Sequence, residues 1–144
     1  MAGFGASREE LKNIYILYIR SLLEQSCVVW HSALTKKDKC NIERVQKTCL
    51  KVILGNEYTH YKTSLEKLNL YTLDERRKLL CVKFAKKCTV NENTKYMFKR
   101  RSTLRNTRNQ EKYIVTFANT ERLKMSAIPY MQRLLNEDKQ RSIY

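Results

Sequence analysis

Across residues 7 to 55 the apolar side chains recur at helical spacing inside two capped segments, and this pattern constrains the fold more than any other stretch of the 144 residues. Ser7 and Glu10 form an S-x-x-E capping box, after which Leu11, Ile14, Tyr15, Tyr18 and Leu22 line one face, with Ile19 and Leu23 widening it. The continuation through Cys27, Val28, Val29 and Trp30 is apolar all round, which predicts a segment of the same helix enclosed by other elements. Thr35 with Asp38 caps a second helix. Ile42, Val45, Cys49, Val52 and Ile53 form its predicted apolar face, and Gly55 stops it. Three Gly and one Pro leave few positions for the turns of a sheet protein, so the fold class is mainly α.

Further along, Tyr58, Tyr61, Leu65 and Leu68 predict a short third helix. Thr72 with Glu75 opens a fourth that carries Leu73, Leu80, Phe84 and Cys88. Arg77 falls inside that apolar arc and is read as structural, with Asp74 or Glu24 as its partner. Periodicity then dissolves over residues 91–112, where seven basic residues stand against Glu92 and Glu111. The composition there predicts a basic, partly disordered loop or arm, followed at 113–118 by a short strand of β-branched and aromatic residues. Ser126, with Pro129 in the first turn, starts a last helix bearing Tyr130, Met131, Leu134 and Leu135. The expected architecture is a small bundle of about four to five helices: a bundle over residues 1–90, the arm with its short strand over 91–119, and a C-terminal helix over 120–144 packing on the bundle.

Twenty-nine Lys and Arg against 14 Asp and Glu give a formal net charge of +15, which points to a polyanionic partner, with RNA or DNA the first candidate. The excess is uneven, with 18 basic against 7 acidic residues in 71–144 and 11 against 7 in 1–70. At 100° per residue Lys37, Arg44, Lys47 and Lys51 fall within about 80° on one face of the second helix. They form a ridge suited to a phosphate backbone. Lys99, Arg100, Arg101, Arg105 and Arg108 provide a second cationic group on the arm. The alternative for both is a solvated basic surface.

Other chemistries find little support. Polymerase chemistry needs close carboxylates that hold two metals, and Asp38, Asp74 and Asp138 are not adjacent to one another. Cys27 and His31 share a helix face, with Cys40 or Cys49 as further thiols, but four ligands at zinc-motif spacing are absent. A nucleophilic dyad of Cys with His31 or His60 lacks an orienting acid, and Gly3, Gly5 and Gly55 build no phosphate-cradling loop. No cofactor is implied. The five cysteines, Cys27, Cys40, Cys49, Cys81 and Cys88, read as reduced, mostly buried thiols of an intracellular protein, nuclear or cytoplasmic. Tyr15, Tyr18, Tyr58 and Tyr61 read as core residues in preference to base-stacking ones. The start MAGFGASREE has no cationic and apolar leader, and the longest apolar run ends at Arg20, so neither secretion nor a membrane partner is expected.

The order of motifs carries a resemblance. Leu11, Ile14, Tyr15, Tyr18, Ile19, Arg20, Ser21, Leu23 and Glu24 are followed by Val29, Trp30, His31, Leu34 and Thr35, then by Ile42, Glu43, Val45, Gln46, Lys47 and Gly55. Tyr58, Tyr61, Leu65, Leu68, Leu70, Leu73, Glu75, Arg76 and Arg77 continue it, and Thr120, Glu121, Arg122, Lys124, Ser126, Ile128, Pro129, Leu134, Leu135 and Asn136 close it. In this order they resemble the region downstream of the polymerase active site in reverse transcriptases of non-LTR, LINE-like retrotransposons, especially the jockey-like group. The resemblance covers most of the chain and is weakest over residues 89–119. It implies a thumb-like helical region that grips a template-primer duplex, detached from the catalytic palm, so that this chain by itself is no enzyme. It also implies self-association through apolar surface that the palm would cover. A relic without a selected role and a helical protein-interaction adaptor are the alternative readings.

Overall fold

The computed structural model describes residues 5–101 and 112–140, and over these the protein is mainly helical. Among the described residues no helix is long and apolar enough to cross a membrane. The chain divides into two compact units: residues 1–26 with 34–77, and residues 27–33 with 78–144. This differs from the expected boundary at residue 90.

In the first unit, α1 (Arg8–Ile14) passes through a π-helical stretch (Tyr15–Arg20) into α2 (Ser21–Glu24). The Ser7 hydroxyl accepts the Glu10 N–H at 3.3 Å and the Glu10 carboxylate accepts the Ser7 N–H at 2.6 Å, so the predicted capping box is present. Helix one does not continue through Trp30. Ser26 takes a left-handed conformation (φ 51°) that no regular helix tolerates, and the apolar residues beyond it belong to the second unit.

Thr35 and Asp38 reciprocally cap α4 (Lys36–Leu54), and Gly55 ends it at φ 52°, ψ −122°, a conformation open to glycine alone. α5 (Tyr61–Leu68) closes at left-handed Asn69, with the Leu70 N–H returning to the Leu65 carbonyl at 2.9 Å. Thr72 and Glu75 then cap α6 (Leu73–Val90), whose first turn also gives the Asp74 N–H to Glu43 of α4 at 2.8 Å. Tyr15, Leu50, Ile53, Leu54, Leu65 and Leu68 make the core of this unit. Within it Gln46 is buried because its amide is spent: Nε2 donates to the Tyr71 carbonyl at 3.0 Å and Oε1 accepts from the Tyr61 hydroxyl at 3.2 Å.

The second unit holds α3 (Cys27–Trp30) with the 3₁₀ turn His31–Ala33, the remainder of α6 from Lys78, and α7 (Glu121–Lys124) and α8 (Ala127–Gln140). Its core gathers Cys81, Ala85 and Cys88 of α6, Phe98, Tyr113, and Met131, Leu134 and Leu135 of α8. His31 is buried, its ring edge-on to Tyr130 at 5.8 Å, whereas Trp30 is half-buried. Sequence reasoning passed over α7, although Thr120 signals it by accepting the Leu123 N–H at 3.2 Å.

The two expectations for residues 91–118 meet different outcomes. Residues 91–101 form the predicted loop, but it does not stand free of the second unit. Phe98 is buried, and the Thr94 hydroxyl ties the segment to the Cys88 carbonyl at 3.0 Å. Nor do residues 113–118 form a strand. Tyr113 makes an isolated antiparallel bridge with Arg100, and its N–H and carbonyl are taken by the Asn136 amide at 3.0 and 3.1 Å. Gln132 acts alike, accepting the Thr116 N–H at 2.7 Å and donating to the Met97 carbonyl at 2.7 Å. Two amide side chains of α8 thus replace the strand partner that the segment would otherwise need. Gln132→Ala and Asn136→Ala are each expected to cost about 1–3 kcal/mol, because each leaves part-buried backbone groups without their partner. Chemical denaturation checks this, with the loss of Gln132, 2% exposed, the harsher of the two.

Candidate nucleic-acid interface

Each unit carries its own cationic surface. On α4 the buried face is formed by Gln46, Leu50, Ile53 and Leu54, and Lys37, Arg44, Lys47 and Lys51 all stand exposed beside it, sharing one side of the helix as their spacing predicts. The apolar face is rotated from the expected one. Val52 is 65% exposed and Val45 also lies open, while the polar Gln46 takes the interior place. Lys37, Arg44 and Lys47 form no ion pair among the described residues. Lys51 Nζ lies 5.6 Å from the centre of the Tyr58 ring, and Lys39, off the ridge, pairs with Asp74 at 3.1 Å.

In the second unit the Arg101 N–H donates to the Lys112 carbonyl at 3.0 Å and the Ile114 N–H to the Lys99 carbonyl at 2.9 Å. These bonds flank Arg100 and Tyr113, making them a non-hydrogen-bonded pair, the kind whose side chains approach most closely. Accordingly the Arg100 guanidinium lies 5.8 Å from the centre of the Tyr113 ring, and Lys112 Nζ lies at 5.8 Å as well. Lys99, Arg100 and Arg101 are exposed around this pairing. Arg105 and Arg108 lie outside the described residues. Lys112 is a cation that sequence reasoning missed as a site residue, since only the pairing of 99–101 with 112–114 brings it beside the others.

Charges inside the first unit serve the fold. Arg77 is fully buried, with Asp74 Oδ1 4.0 Å from its guanidinium. Glu24, the other partner expected for it, instead accepts from Arg76 Nε. Burial, and then the neighbouring Arg76, lower the Arg20 pKa, while Glu24 opposes the shift. Tyr15 and Tyr61 are pushed upward, each first by burial, with Glu43 reinforcing the shift at Tyr61 through its hydrogen bond. Both hydroxyls therefore stay protonated near neutrality. Tyr18 departs from the expected core role, being 68% exposed.

All five cysteines are free thiols, with Cys27, Cys81 and Cys88 buried, Cys49 half-buried and Cys40 exposed. Among the described residues no three His, Cys, Asp or Glu side chains converge as a metal site would require. What fold and surface define is a mainly helical protein with a cationic helix face in one unit and a cationic hairpin base in the other. No protein-family model matches the chain, and no curated protein or solved structure matches it either.

Proposed function

We propose that the chain is a non-catalytic C-terminal piece of a retrotransposon RNA-directed DNA polymerase that binds RNA or DNA, including a template-primer duplex, without regard to sequence. The motif order motivates the ancestry. The observation that supports binding is the α4 ridge, where Lys37, Arg44 and Lys47 stand exposed with no ion pair among the described residues. Cations held along a rigid helix release condensed counterions when they meet phosphates, and that release drives sequence-independent affinity. Chemistry is left to other parts of such an enzyme, and the protein acts in the nucleus or cytoplasm. Titration of the full chain with RNA, DNA and hybrid duplexes over a salt series tests this. Log affinity is expected to fall linearly with log salt for all three, and no binding at about 50 mM salt, or no salt dependence, overturns it.

Self-association is a second reading with its own observation. Ile14, Leu17, Tyr18 and Leu22 lie on successive helical turns, and Leu17 and Leu22 are 65% and 70% exposed, which makes an apolar face open to water. Sedimentation of the wild type is expected to shift with concentration, and Leu17→Glu with Leu22→Glu to abolish the shift. A monodisperse wild-type monomer across the range refutes this reading.

A further inference from the structure

Beside the hairpin base in the second unit lies a recess of about 320 Å³, lined by Tyr96, Met97, Lys99, Ile114, Ile128 and, with Gln132, Thr116. Its volume is at the lower end of small-molecule sites, which run from about 300 to 1,000 Å³. A single planar ring system is of a size that such a space accommodates. Ile114, Ile128 and Met97 make most of it apolar, and Tyr96, 63% exposed, offers an open aromatic ring.

The recess is also braced. Gln132 holds the Met97 carbonyl and the Thr116 N–H from below, so two of its walls are fixed to α8 before any ligand arrives. Lys99 and Ile114, both lining it, are joined by the backbone bond at 2.9 Å. Arg100, Arg101 and Lys112 crowd the same hairpin base. A mostly apolar recess with an aromatic ring at its edge and cations beside it suits an occupant that joins an aromatic ring to repeated negative charge.

We infer that this recess seats one unpaired base of a single-stranded nucleic acid, stacked on Tyr96, while Lys99 and its basic neighbours take the flanking phosphates. The inference rests on the nucleic-acid reading proposed for the chain and deepens it, because it gives the second unit a preference for single strands that a phosphate ridge alone lacks. Base identity is not selected, since stacking accepts any base.

Three labelled strands of about 12 nucleotides test this with the full chain by fluorescence anisotropy at low salt: oligo-U, oligo-dT and an abasic deoxy strand. Both base-bearing strands are expected to bind about tenfold more tightly than the abasic one. Tyr96→Ala should erase that difference while leaving abasic affinity unchanged, Tyr96→Phe should keep it, and Ile128→Trp, which fills the recess, should erase it independently. Lys99→Ala should weaken all three strands by a similar factor. Equal affinity for base-bearing and abasic strands, with Tyr96→Ala silent, overturns the recess and leaves phosphate binding standing. If no strand and no duplex binds, the underlying reading falls with it.

Discussion

Replacing Arg77 with Ala is expected to cost about 2–5 kcal/mol of folding stability, a loss typical of truncating a large, fully buried side chain and far above that of a surface substitution. Arg77 is 0% exposed, so the change removes a long packed side chain and its polar contacts together. Asp74 suffers less, because it is part-exposed and keeps Lys39 at 3.1 Å. Arg77→Met restores volume without charge and should recover part of the loss, in urea titrations at unchanged slope with denaturant. The salt dependence of nucleic-acid binding should be the same in Arg77→Met as in wild type, since a fully buried guanidinium meets no phosphate. A loss below about 1 kcal/mol for Arg77→Ala would show that this position is not the packed one described.

Exchanging Lys37, Arg44, Lys47 and Lys51 together for Gln is expected to weaken binding uniformly across nucleic-acid sequences. Each neutralised phosphate contributes about −0.9 to the slope of log affinity against log salt, so four lost contacts flatten it by about 3.6. Over about 50 to 200 mM salt that slope amounts to roughly a hundredfold in affinity. Stability should move little, by about ±0.5 kcal/mol per site, because all four side chains are exposed and Gln is a good helix former. An unchanged slope in a folded variant would remove α4 from the interface and leave the hairpin base to carry it.

The recess and the α4 ridge ask different things of a partner. A ridge of cations on a straight helix tracks phosphates at any base composition, whereas a recess with an aromatic wall needs a base out of its stack. The Tyr96 and α4 variants have different readouts, base-bearing against abasic strands for one and the salt slope for the other.

The residues legible in sequence are those whose interactions close within four positions. Ser7 with Glu10, Thr35 with Asp38 and Thr72 with Glu75 cap their helices as their spacing says, because the donor and acceptor lie on the same turn. The α4 ridge follows from the same local geometry, and so does the mainly helical class. The side chains decided only by tertiary structure are those whose partners lie far along the chain. Val45 and Val52 are apolar yet open, because Gln46 finds its hydrogen bonds at Tyr61 and Tyr71 and takes the interior face. Helix one breaks at Ser26 because residues 27–33 pack in another unit. Lys112 joins Lys99, Arg100 and Arg101 only through backbone pairing, and Gln132 and Asn136 look like surface amides until Met97, Tyr113 and Thr116 come to meet them. Periodicity reports the angle of a side chain about its own helix axis. Which side of that axis is buried depends on the elements that pack against it, and those contacts join residues that the local pattern does not relate.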